Sequence, residues 1–251
     1  MTGTPPVTSA TAVPGKTGDS EQRRPGPAGN LPSWAATAAA GARGYDAWFS
    51  SPWGRYAWQV EARAVLAGLA PLGGRRIADV GCGTGRLLPA LAAHGADTVG
   101  IDADPAMLGL AAHRGPVIQA DAHRLPIADG SVDAAVTIAT LEFTADPAAV
   151  LAEMARITRP GGLLVAAVLN PASLWGLLDQ PARRAPYATG CFLPRARLLA
   201  LGRRHGQARI RGVLFAARRL PARRALGPAL ERAGKITPRY GALQILTVIT
   251  L

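Results

Sequence analysis

The stretch that most constrains this chain is Arg76 to Gly85, RIADVGCGTG, an apolar run that stops at Asp79 and then sets glycines at 81, 83 and 85. It predicts a strand that opens into a loop. Glycine takes positive φ without strain and lets a ligand lie against bare backbone. A turn by itself needs about one such residue, so three at every second position predict a binding loop. Arg86 to His94, RLLPALAAH, predicts a helix starting right after the last glycine, its free N–H groups and positive dipole end facing the loop. Such a terminus accepts carboxylate or phosphate. Pro89 fits the first turn, where its missing N–H would have had no partner. The dinucleotide fingerprint is spaced G-x-G-x-x-G; here the spacing is G-x-G-x-G, with Asp79 two residues ahead of Gly81. An acid in that place suits a ligand carrying positive charge.

Downstream, strand and helix signals alternate. Thr98–Ile101 (TVGI) reads as a short strand ending at Asp102, about 20 residues past the loop, where a doubly wound fold sets an acid against ribose hydroxyls. An ordinary strand-end acid is the competing reading. Asp104 and Pro105 open a helix as its cap and first residue. Val117–Ala120 makes a third strand, running into Asp121 and Ala122, for which a surface turn is the alternative. Ser131–Phe143 is a buried-type strand with a loop at its carboxyl end, the edge where such sheets hold ligands. Asp146 caps a helix over Pro147–Ile157 that stops at RPGG before a strand over Leu163–Leu169. A helix over 194–205, a strand over 209–215, a helix near 226–233 and a strand over 242–250 bring the strands to seven. Alternation at this spacing predicts an α/β fold with a parallel, doubly wound sheet.

The stretch 76–85 closely resembles motif I of the class I S-adenosylmethionine-dependent methyltransferases, and ITRPGGLLV resembles the turn that closes the family's later helix. The resemblance is sharp over 76–170 and covers about 34–251. It implies a Rossmann-like seven-stranded sheet with the last strand antiparallel, preceded by a helical N-terminal cap. It also implies S-adenosyl-L-methionine as cofactor. Gly81, Cys82, Gly83 and Gly85 would wrap its methionine part, and Asp79 would meet the amino group. Asp102 would take the ribose, Ala103 and Met107 would flank the adenine, and Asp121 and Ala122 would bond to it. Ala139 lies in Thr137–Phe143, the segment that would face the transferred methyl group.

Residues 34–70 are helical and aromatic, and their YDAWF…G…E pattern is similar to a segment that closes over the cofactor in the family. Tyr45, Tyr56 and Glu61 are therefore substrate-site candidates, together with Glu142 and with Trp175 of an aperiodic excursion over 170–193. An apolar cap packed on the sheet explains the same aromatics without a lid. Of the four histidines, His94, His113 and His205 read as capping or solvated residues, and His123 as a surface residue or one bordering the pocket mouth.

Composition narrows the rest. Residues 1–33, rich in Pro, Gly, Ser and Thr, predict a disordered tail, and Arg23-Arg24 lack the apolar run of an export signal. One domain over 34–251 follows. Cys82 and Cys191 offer neither a disulfide framework nor a metal site, which makes the cytoplasm the default setting. Apolar runs such as 163–169 fall far short of the roughly 20 residues of a membrane helix. The net charge of +12 is uneven: Arg183 to Arg239 hold fourteen Arg and one Lys against Glu231 alone. Two functions follow. One is methyl transfer to a small-molecule acceptor; the other is a nucleic-acid methyltransferase or nucleic-acid-binding relative using the basic C-terminal part. A cofactor-binding protein without transfer activity is a third. The strand ending in TIATLEF lacks the N/D-P-P-Y/F tetrapeptide of many nucleic-acid methylases, and no aromatic residue lies from Ala216 through Pro238 to stack bases. Both features argue against nucleic acid.

Overall fold

In a computed structural model, residues 33–173, 176–177, 190–216, 223–234 and 236–251 are described. The expected tail, apart from Ser33, lies outside the described residues, as do Trp175 and most of the 170–193 excursion. Two helices come first, α1 (Ser33–Trp48) and α2 (Pro52–Leu69). Ser51 caps α2, its hydroxyl accepting from Gly54 N at 3.0 Å, with Pro52 at the start of the first turn. The chain then alternates through β1 (Arg76–Val80), α3 (Leu88–Ala93), β2 (Asp97–Asp102), α4 (Pro105–Ala111), β3 (Val117–Gln119) and β4 (Val132–Ile138). It continues with α5 (Pro147–Ile157), β5 (Thr158–Leu169), α6 (Arg195–Arg203), β6 (Gly206–Val213), α7 (Arg223–Gly234) and β7 (Leu243–Thr250).

The seven strands form one sheet in the order β3-β2-β1-β4-β5-β7-β6. Every pairing from β3 to β5 is parallel, and β7 runs antiparallel to both β5 and β6. The α/β, Rossmann-like class with an antiparallel last strand is therefore the observed one. One face packs Val65 and Leu69 of α2 and Leu91 of α3 on Ile77, Val136 and Val165. On the other, Leu151 and Met154 of α5 and Leu198 of α6 pack on Ala135, Leu164 and Leu246. With both faces covered, the central strands are apolar runs rather than alternating ones.

Two expected boundaries are corrected. The helix after the glycines begins at Leu88, not Arg86, because tight turns (Leu88 N to Gly85 O, Gly85 N to Cys82 O) extend the loop. It is six residues long, so no full helical terminus faces the loop. RPGG belongs to β5 rather than to a separate turn: the β4–β5 register passes from Val132↔Thr158 to Ala134↔Leu163, and the extra residues bulge out around Gly161 at φ 71°. The later elements shift by only a few residues, to 195–203, 206–213, 223–234 and 243–250.

Candidate functional site

The strand order reverses at β1: the chain steps outward to β2 and β3 and then returns to β4 on the other side. The carboxyl ends of strands at such a switch point leave a crevice. Here the crevice has a volume of about 300 Å³, and its walls include Gly81 after β1, Asp102 and Ala103 after β2, Asp121 and Ala122 after β3, and Thr140 after β4.

Glycines 81, 83 and 85 all have positive φ, at 71°, 54° and 75°. They differ in what surrounds them. A Cβ on Gly81 would meet the Thr140 side chain at 2.3 Å, and one on Gly85 would meet Ala111 at 2.9 Å. Packing therefore demands those two. At Gly83 the nearest atom is Tyr45 Cε1 at 3.8 Å, an ordinary van der Waals contact, so packing does not demand a glycine there.

Asp79 is 3 % exposed, with no side-chain hydrogen bond among the described residues. Burial, with Asp102 nearby, pushes its carboxyl up to about 7. Asp102 holds the loop in place: Oδ2 accepts from Gly83 N at 2.8 Å and Oδ1 from Asp104 N at 2.9 Å. Asp104 in turn caps α4 by accepting from Ala106 N. Burial first, and then Asp79 and Asp102, push the Cys82 thiol up, which keeps it protonated and without nucleophilic character. Met107 is half-buried on α4 and is not a wall of the crevice.

Asp121 accepts from His123 N at 2.9 Å and from His123 Nδ1 at 2.6 Å, and these bonds lower its carboxyl below the usual range. The other ring nitrogen, Nε2, accepts from Asp146 N, which leaves the proton on Nδ1. His123 is a wall of the crevice, the bordering position considered from the sequence. Ala139 has φ 49°, rare outside glycine. Its turn swings Thr140 back over β1, where the Thr140 side chain meets Gly81. Thr140 and Phe143, both within the segment Thr137–Phe143 expected to face the methyl group, line the wall with Thr144 and Ala145, which were not singled out from the sequence.

The candidates for the acceptor side separate. Tyr45, 41 % exposed, stands against Gly83. Glu61 of α2 and Glu142 are both buried. Glu142 Oε1 accepts from Leu169 N, while Oε2 has no partner among the described residues. Burial pushes Glu142 up to about 7, and burial with Glu142 nearby pushes Glu61 up to about 8. Tyr56 points elsewhere: its hydroxyl lies 3.4 Å from Glu231 Oε1 of α7, and burial followed by that carboxylate pushes it up to about 12.

A methyltransferase-domain family matches residues 78–166. An uncharacterized methyltransferase of Mycobacterium sp. (strain JLS) is 41% identical over 100 residues, 37% of this chain and 38% of the relative. A demethylmenaquinone methyltransferase of Beutenbergia cavernae is 41% identical over 108 residues, 42% of this chain and 45% of the relative. The chain thus spans about two fifths of the length of the curated relatives it matches. Among solved structures, a Thermotoga maritima protein described as a SAM-dependent methyltransferase, possible histamine N-methyltransferase, superposes with a TM-score of 0.68 at 22% identity. That likeness covers 85% of this chain and 98% of the other.

Proposed function

We propose that this chain, whose residues 78–166 match a methyltransferase-domain family, is a class I enzyme that transfers a methyl group from S-adenosylmethionine to a small-molecule acceptor. The observation that carries the proposal is a crevice walled by Gly81, Asp102 and Asp121 at the carboxyl ends of three neighbouring strands, with the buried Asp79 carboxyl on β1 two residues before Gly81. These residues fit the cofactor. A buried carboxyl with no hydrogen-bond partner suits an ammonium, Asp102 suits vicinal hydroxyls, and Asp121 with the Ala122 backbone suits an adenine edge. Gly81, Cys82, Gly83 and Gly85 would line the methionine part, with Ala103 and Met107 on the adenine side and Ala139 turning the β4 loop toward the methyl group.

The cofactor's sulfonium supplies the electrophilic methyl group. What the chain supplies is alignment and exclusion of water, and alignment of that kind contributes on the order of 7 to 11 kcal/mol. A catalytic base is not required by the reading, and none is assigned. Helices α1 and α2 act as the lid, with Tyr45 at its rim. Glu61 and Glu142, whose carboxyls burial pushes up, are the acceptor-side candidates that lie near each other. The small-molecule reading takes support from the demethylmenaquinone methyltransferase named above. The cytoplasm is the proposed setting, in keeping with two free cysteines.

A nucleic-acid acceptor is the second reading, favoured by the basic C-terminal part. Against it, several of those arginines are used in the fold: Arg195 donates to Ile210 O at 2.7 Å, Arg211 donates to Ala64 O, and Arg239 stacks on Tyr240 at 4.9 Å. The test is transfer of labelled methyl to metabolite, RNA and DNA pools at about 0.15 M salt, where the Debye length is about 8 Å. Label in the metabolite pool is the expected result. Label in nucleic acid that Arg203→Glu with Arg204→Glu removes would replace the first reading with the second.

A further inference from the structure

One acid belongs to none of the roles above. Asp46, near the end of α1, sits at the centre of a cluster drawn from three parts of the chain. Its Oδ1 accepts from Thr84 Oγ1 at 2.8 Å, from Arg86 Nη1 at 2.9 Å and from Arg114 Nη1 at 2.8 Å, and its Oδ2 accepts from Arg114 Nη2 at 2.8 Å. Thr84 lies between Gly83 and Gly85, and Arg86 follows directly. Arg114, beyond the end of α4, also donates to Thr84 O at 2.6 Å, so one guanidinium clamps both the lid acid and the loop backbone. The Arg86 guanidinium lies 4.5 Å from the centre of the Phe49 ring and 5.8 Å from that of Trp58, which ties the same loop to the turn between α1 and α2 and to α2 itself.

The bidentate Asp46–Arg114 pair is three-quarters shielded from solvent and involves three elements, unlike a lone surface pair. Arg114 above all, with Thr84 and Arg86, holds the Asp46 carboxyl well below the usual carboxylate range, so the cluster stays charged throughout the neutral region. Its geometry bears on the loop rather than on the core. The residues it holds are Thr84, Arg86 and Arg114, and the residue just before it in α1, Tyr45, has a ring carbon 3.8 Å from where a Cβ of Gly83 would lie.

We propose that Asp46 is a positioning residue for the cofactor loop: through Thr84, Arg86 and Arg114 it fastens the lid to Gly81–Gly85 and holds the loop in the shape that receives the ligand. Lid placement and cofactor affinity are then linked, although Asp46 touches no ligand itself. This inference rests on the cofactor reading given above.

The test is titration calorimetry of the full chain with S-adenosylhomocysteine. Asp46→Asn keeps the size of the side chain and removes the charge that holds two guanidiniums, and the expected loss of affinity is about tenfold, the scale of hydrogen bonds to a charged group. Asp46→Glu should recover most of that loss. Asp133→Asn is the control, since Asp133 pairs with Arg159 at 2.8 Å and with Arg76 at 3.9 Å, away from the crevice walls, and should leave affinity unchanged. Should Asp46→Asn fail to fold, Arg114→Lys, which keeps the charge and loses the fork, takes its place and should weaken binding in the same direction. Unchanged affinity in the folded Asp46 or Arg114 variant, or an equal loss in Asp133→Asn, overturns the proposal while the cofactor reading stands. Absence of binding by the wild-type chain overturns both.

Discussion

Gly81, Gly83 and Gly85 share a residue type and a backbone region, yet substitution should separate them. At Gly85 a methyl group would run into Ala111, and at Gly81 into Thr140, so Gly85→Ala and Gly81→Ala should lower the thermal midpoint strongly. At Gly83 a methyl group would meet only Tyr45, at ordinary contact distance, and Gly83→Ala should cost only the left-handed backbone penalty of about 1 to 2 kcal/mol. Its binding of S-adenosylhomocysteine should nevertheless be lost if, as proposed, the cofactor's methionine part lies against the bare backbone of this loop. Asp79 supplies a prediction in pH. With its folded value raised to about 7, far above the ordinary range, the proton on Asp79 stabilises the fold at low pH, and that contribution is lost as pH rises through about 7. An ammonium ligand needs the ionised form, so affinity should rise as pH increases through about 7 and level off above it, with proton release on binding at pH 6. Asp79→Asn should weaken binding and flatten that profile; a wild-type affinity that is flat from pH 6 to 8 would contradict the assigned partner. Asp79 and Asp102 were legible in the sequence because their spacing to the glycines is local. Asp46 and Arg114 were not, since 68 positions separate them and only the folded chain brings them together.

At the scale of the element, the proposed lid is two helices with different contacts. Val65 and Leu69 of α2 are fully buried against the sheet, each worth about 1.5 to 3 kcal/mol in a fold whose whole stability is about 5 to 15 kcal/mol. α1 instead reaches the glycine loop through Asp46. Removing residues 1–48 should therefore leave a cooperative melt by circular dichroism but weaken cofactor binding, whereas removing 1–70 should abolish the melt. If the shorter deletion keeps wild-type affinity, α1 is not part of the cofactor site. Helix α5 was legible to the residue, because Asp146 and Pro147 mark its start chemically and Asp146 Oδ1 accepts from Ala148 N at 2.9 Å. The start of α3 was misplaced because Leu87, at its N-cap, makes no side-chain cap. The start of β5 was misplaced because a bulge and a turn share the same Pro-Gly-Gly chemistry.

Across the whole molecule, the alternation of strands and helices was enough to read the sheet, and the carboxyl edge of that sheet is where every acid of the proposed cofactor site lies. The antiparallel return of β7 followed from the family resemblance, and what fixes it is β7 pairing with β5 and β6 from Leu243 to Thr250. Charge is distributed unevenly on this frame: Arg75 to Asn170 hold seven Arg against ten Asp and Glu, and the arginine excess follows. The described residues contain no helix long and apolar enough to cross a membrane. A basic surface of this kind draws anionic small molecules toward the protein, an effect that falls with ionic strength. Raising salt from about 0.05 to 0.5 M should therefore slow association of an anionic acceptor far more than that of a neutral one, as stopped-flow mixing would show. The central claim is that the crevice at the β1–β4 switch point receives S-adenosylmethionine, and titration of the full chain with S-adenosylhomocysteine and, separately, with a nicotinamide dinucleotide tests it most directly. One saturable site for the first, weakened by about 1.5 to 3 kcal/mol in Asp102→Ala, and no heat with the second is the predicted result. Heat with the dinucleotide and none with S-adenosylhomocysteine would contradict it.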